Sequence, residues 1–319
     1  MMMGVEEFSY YDDFGQDKPR WKILSKLPAN PHVGHCDSPE ELDIPTLVTK
    51  TGQIYTAGLP THSNSPGGSF SRFNTVTGEW DDLEEMLLWS YQFSMVELDG
   101  YIYTLAGAIE DRGTDDKLNK NVARYSIARE TWDEVAPMVE GVEASFEENK
   151  IPNTAIVFDG KILVSSTVDT PENPTDDVLI VEMYDPVTNI WCVVLKDKCR
   201  KRSQAVLTVQ NNVCYLLMLP YKRHEIILPN VYTLNRDFDA KPPKASLGEG
   251  VIQNVTLTNN TIGAFCINDD IFVNVWGCVY ELKTEGQKEV DVSKWSDIIP
   301  DPKLPFTAVM YTFDKRLCI

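Results

Sequence analysis

Four segments of this chain place an aromatic residue seven positions before a tryptophan. They are Phe14 to Trp21 (FGQDKPRW), Phe73 to Trp80 (FNTVTGEW), Tyr125 to Trp132 (YSIARETW) and Tyr184 to Trp191 (YDPVTNIW). The tryptophans step by 59, 52 and 59 residues, and the step from Trp191 to Trp295 is 104, twice the shortest interval. A period near fifty residues restricts the chain to an architecture in which one small unit is repeated. The doubled step predicts a further unit without its tryptophan, and hence six units.

Each unit carries an upstream pair of alternating runs joined by turn residues. In the third unit QFSMVELDGYIYTLAG turns at Asp99-Gly100, and in the fourth NTAIVFDGKILVSS turns at Asp159-Gly160. The second turns at Thr51-Gly52 and the fifth at Asn211-Asn212. Such pairs supply the positive φ that tight hairpins require. A third strand ends at the aromatic, and VTGE or VTN leads into a fourth strand holding the tryptophan. Four strands per unit give an all-β chain built by radial repetition. No linker interrupts residues 1–319, so a single domain is expected. The tryptophans and glycines read as packing and backbone-geometry residues, not as ligand contacts.

On these residues the chain resembles a kelch domain across essentially its whole length. Ala106-Gly107 and Gly58 retain part of the family's double glycine, whereas Ser166-Thr167 and Met218-Leu219 replace it in the fourth and fifth units. The resemblance implies a six-bladed kelch β-propeller with four-stranded antiparallel blades, blade 1 being closed by the C-terminal strand. Residues 1–5 would supply a second strand and residues 306–313 a first strand of that blade. A blade begun in mid-strand suggests that the chain follows another domain in a longer protein. Blade six departs from the pattern, with Tyr280 and Trp295 far apart.

Composition narrows the function. With 48 acids against 29 bases the formal charge is −19, which disfavours nucleic acid and anionic membranes as partners. No run of 18 apolar residues occurs, and the opening MMMGVEEF is too short and acidic for a secretory signal. Seven scattered cysteines without CxxC spacing read as free thiols of a reducing, cytoplasmic compartment. The sequons at Asn254 and Asn259 read as chance matches. Signatures for phosphate-binding loops and for GxSxG nucleophiles are absent. A copper oxidase of the kelch type needs two converging histidines and two tyrosines. The one close histidine pair, His32 and His35 with Cys36, has no second cluster to complete a metal set. Asp115-Asp116 and Asp176-Asp177 read as loop charges and not as a glycosidase pair. No catalytic residue, metal or cofactor is expected.

The one basic concentration is Lys196, Lys198, Arg200, Lys201 and Arg202, followed by Lys222, Arg223 and His224; between Lys196 and Arg223 the only acid is Asp197. The first group is expected on the connection from blade four to blade five, the second on the loop after the second strand of blade five. In a propeller these two sets of loops share one face, on a scaffold suited to recognition. Such a cluster grips carboxylates or phosphates, so an acidic or phosphorylated peptide segment is one reading. The competing reading is neutralisation by the chain's own acids in residues 110–116, 140–148 and 172–177. Arg202-Ser203 resembles the Arg-Ser pair of kelch substrate pockets. Trp89, Tyr91 and Gln92 stand at the matching start of blade three, as peptide anchors or as inter-blade packing. Pro60 and His62 follow the blade-two strand.

Kelch propellers of this organisation commonly follow BTB and BACK modules, as substrate receptors of cullin-3 ubiquitin ligases. The resemblance therefore implies a non-catalytic, monomeric binding module. Its partners would be a protein substrate or degron peptide and, through a BTB domain outside this chain, cullin-3. A kelch scaffold bound to actin or the cytoskeleton is the alternative.

Overall fold

The computed structural model describes residues 7–12, 20–26, 45–57, 68–87, 93–107, 118–143, 153–170, 173, 175–201, 203–210, 212–220, 230–248, 251–252, 261–267, 270–275 and 278–282. Among the described residues there are strands and no helix. β1 (Glu7–Asp12) and β2 (Arg20–Lys26) form a hairpin. β3 (Thr46–Val48), β4 (Ile54–Ala57), β5 (Phe70–Asn74) and β6 (Glu79–Asp82) form the next sheet. β7 (Ser94–Leu98), β8 (Tyr101–Leu105), β10 (Val122–Ser126) and β11 (Thr131–Glu134) form another, beside which β9 (Leu118–Asn119) pairs with β12 (Val142–Glu143). The fourth sheet is β13 (Asn153–Phe158), β14 (Lys161–Val168), β15 (Asp176–Asp185) and β16 (Ile190–Arg200). The fifth is β17 (Ser203–Gln210), β18 (Val213–Pro220), β19 (Asn230–Asp237) and β20 (Lys244–Leu247), with β21 (Val251–Ile252) also on β19. β22 (Thr261–Ile267), β23 (Asp270–Val275) and β24 (Cys278–Leu282) complete the set. All the pairings are antiparallel.

Local sequence sets the turns. Asp99-Gly100 and Asp159-Gly160 take positive φ at both positions (51° and 78°; 54° and 66°), the geometry that matches strand twist in two-residue hairpins. The turns between third and fourth strands share one design. Asn74, Ser126 and Asp185 each accept a backbone N–H of the turn with their side chain. The last turn residue is left-handed in each case: Gly78, Glu130 and Asn189.

That four-residue turn explains the seven-residue spacing, because it sets the aromatic directly across from the tryptophan. Phe73 faces Trp80, Tyr125 faces Trp132 and Tyr184 faces Trp191, with ring centroids 5.1, 5.3 and 5.1 Å apart. The first unit differs from expectation. There Tyr11, not Phe14, lies opposite Trp21, because the connection between β1 and β2 spans residues 13–19 and is longer than the other turns.

Alternation then gives each sheet two distinct faces. Tyr125 and Trp132 pack back onto Tyr55, Phe70 and Met86 of the preceding sheet, and Tyr184 and Trp191 onto Tyr103, Leu105 and Val122. Trp132 and Trp191 thus serve as packing between sheets, as the sequence suggested for them; truncating a ring in such a place costs about 3–5 kcal/mol. The opposite face, turned to the following sheet, carries a cross-strand row. It reads Tyr55–Arg72–Asp81 in the second sheet and Tyr103–Arg124–Asp133 in the third. Arg72 bonds Asp81 at 2.9 Å and reaches Glu130 of the next sheet at 2.9 Å. In the fourth sheet the same row is Leu163–Met183–Cys192, packed on Leu207, Cys214 and Leu216 of the fifth. All three positions change together because a buried polar group is costly without its partners.

Successive sheets meet through their first strands: β3 against β7, β7 against β13, β13 against β17 and β17 against β22. Four-stranded antiparallel sheets following one another in this way make an all-β, propeller-like architecture. The fifth sheet forms without a tryptophan, as the doubled interval predicted. Residues 1–5, 306–313 and Trp295 lie outside the described residues.

Candidate interaction site

The fourth sheet outgrows its neighbours. β15 and β16 run for 10 and 11 residues where the strands of the second and third sheets run for five or fewer. The two stay paired from Asp185↔Ile190 to Asp176↔Arg200, with a bulge at Val181/Glu182. The sequence reading therefore needs correction on two points. Lys196, Lys198 and Arg200 are on a strand and not in a connection, because β15 supplies pairing partners that far. Asp176 and Asp177 are likewise on a strand and not in a loop. Only Lys201 and Arg202 separate β16 from β17.

At this end of the fourth sheet, the connection into the fifth sheet meets the connection that follows β14. The Lys201 N–H donates to Thr175 O at 2.9 Å, tying the β16–β17 connection to the β14–β15 connection. Ser203 opens β17 opposite Pro220, so the segment 221–229 leaves from the same end. Lys222, Arg223 and His224 belong to that segment and lie outside the described residues. So do Arg202, Trp89, Tyr91, Gln92, Pro60 and His62, and with them the sequons at Asn254 and Asn259 and the pair Asp115-Asp116.

The basic residues divide into two groups. Lys201 is held internally: its Nζ donates to Asp169, to Thr170 O (3.1 Å) and to Asn173 O (3.3 Å), and it pairs with buried Asp177 at 3.3 Å. Asp169, and after it Asp177, raise the Lys201 ammonium above the usual lysine range. Lys196 donates to Glu140 at 3.0 Å. Self-neutralisation by segments 140–148 and 172–177 thus applies to these two lysines. Lys198 and Arg200 are exposed and make no ion pair with another described residue. Ser203 is buried at 3% exposure, and its carbonyl accepts from Thr167 Oγ1 at 2.8 Å. Its described role is to join two sheets.

One functional-looking group escaped the sequence reading. Glu182 is 1% exposed and accepts the N–H groups of Val139, Glu140 and Gly141 at 2.7, 3.2 and 2.9 Å. Burial raises its carboxyl above the usual range, and the three amides pull it back only in part. Its only signal in the sequence is an acid inside an apolar strand, VLIVEMY. Through Glu140 this clamp also positions the partner of Lys196.

Among the described residues, no group of three or more His, Cys, Asp or Glu is placed to hold a metal ion, and no disulfide joins Cys192, Cys199 or Cys214 to another. No described helix is long and apolar enough to cross a membrane.

No protein-family model matches the chain, and no curated protein matches it. Among solved structures, "Structure of YjhT" is similar over 72% of this chain and 70% of that one, with 15% identity and a TM-score of 0.45. A likeness at that level says nothing about partner or activity.

Proposed function

We propose that this chain is a non-catalytic protein-interaction module, a six-bladed kelch propeller closed by its C-terminal strand, that binds an acidic segment of a partner protein. In line with the kelch resemblance, its role is that of a substrate receptor for a cullin-3 type ubiquitin ligase, with cullin-3 contacted by a BTB domain outside this chain. One observation carries the reading. In a chain of net charge −19, Lys198 and Arg200 stay exposed at the end of the sheet and make no ion pair with another described residue, while Glu140 and Asp177 are taken up by Lys196 and Lys201. Charge-assisted bonds from such a pair suit carboxylates or phosphates.

Proximity labelling in cells, with and without proteasome and neddylation inhibitors, tests it. Neutral substitutions Lys198→Gln and Arg200→Gln are the right variants, because Arg200 faces Asp176 across the strands and reversal would set like charges opposite each other. A set of proteins should accumulate on the wild type under both inhibitors and be lost from the double variant, with the thermal midpoint unchanged. Labelling indifferent to the inhibitors and to the double substitution contradicts the reading.

A further inference from the structure

β16 is the last strand of its sheet and pairs with β15 alone among the described residues. Its two edges can be told apart. The Lys201 N–H turns inward to Thr175 O, so by the two-residue period of a strand the backbone groups of Cys199 and Asp197 also turn inward. Those of Lys196, Lys198 and Arg200 turn outward. The Lys198 N–H agrees, since it donates to the Asp197 carboxylate at 2.7 Å and not to β15. Three residues with outward amides and carbonyls therefore all carry cationic side chains on one face, and two of these, Lys198 and Arg200, have no acid of the chain engaged with them among the described residues.

We propose that this edge of β16 receives an extended acidic segment of a partner protein as an added antiparallel strand. The inference rests on the acidic-partner reading above and assigns its mode of binding. Backbone pairing supplies affinity and alternate side chains supply specificity in such an addition. In an antiparallel pair, the residue that exchanges both hydrogen bonds with Lys198 presents its side chain on the same face as Lys198. A segment with an acid at every second position sets a carboxylate beside Lys198 and another beside Arg200. The Asp197 carboxylate holds the Lys198 N–H until an incoming carbonyl takes its place. A second copy of this chain is a poor occupant, because its own basic edge would set like charges opposite one another.

The probe is the peptide acetyl-Thr-Glu-Val-Glu-Val-Glu-Thr-amide, titrated into the full chain with amide hydrogen exchange as a second readout. Two versions carry N-methyl groups, one on the glutamates and one on the valines. The proposal expects the probe to slow exchange at Lys198 and Arg200. It further expects glutamate methylation to weaken binding by about tenfold or more, and valine methylation to leave it unchanged. Equal binding of both methylated versions, lost on K198Q/R200Q, overturns strand addition and leaves the acidic-partner reading standing. Lys198 and Arg200 amides as slow as the β15-bonded ones in the free protein also overturn it, since the edge is then already occupied. No binding of any version counts against both.

Discussion

Glu182 shows what single residues contribute here. Its carboxylate gathers the amides of residues 139–141, and the loop comes so near that Gly141, at φ +87°, has no room for a side chain: a Cβ there would stand 2.7 Å from Asn119 O. The groups facing the carboxylate are those amides, the Glu140 carboxylate and the Cys192 thiol. Because its folded pKa lies above the ordinary value of about 4.3, the folded state binds more protons than the unfolded state between the two values. Stability contributed at this position therefore falls as pH rises from about 4.3 through the folded pKa. Thermal midpoints measured against pH should show the wild type losing ground to E182Q over that window, and parallel profiles would contradict it. Little of this was legible beforehand, since an acid in an apolar strand says nothing about which loop will cover it. Lys201 is the same lesson in reverse. Charge density marked the basic cluster, but only the fold shows Asp169 and Asp177 taking one lysine out of it.

At the scale of elements, the joint between fourth and fifth sheets is polar as well as apolar. Thr154 and Ser165 donate to Ala205 O at 3.2 and 2.8 Å, Thr167 donates to Ser203 O at 2.8 Å, and Leu207 N–H donates to Thr154 Oγ1 at 3.0 Å. Hydroxyls from β13 and β14 thereby cover the edge of β17 that its own sheet leaves open. Near the end of β14 the Thr167 hydroxyl is thus used in the joint. Thr167→Val should cost about 1–3 kcal/mol in chemical denaturation, whereas Thr77→Val on an exposed turn should stay within about 0.5 kcal/mol. Equal effects would show that the hydroxyl contributes nothing to the joint. The aromatic–tryptophan pairs were legible because a four-residue turn is a local matter. The Tyr–Arg–Asp rows were not, since their members lie on three strands and meet only through register. Phe14 lies outside the described residues, and the partner described for Trp21 is Tyr11.

For the molecule as a whole, the repeat in the sequence carried the all-β succession of four-stranded antiparallel sheets. Each four-stranded sheet falls where the hairpin and tryptophan signals placed it, and first strands adjoin in succession from β3 to β22. The length of β15 and β16 was hidden, because alternation weakens across the bulge and the charged stretch after it looks like a connection. The propeller part of the proposed function depends on a ring, since only a ring brings the ends of successive sheets around one opening. A photo-reactive benzophenone side chain introduced at Val309, with crosslinked peptides identified by mass spectrometry, tests that ring directly. The account predicts crosslinks to residues 1–5. Crosslinks confined to the segment after β24, with none to the N-terminal residues, would contradict it.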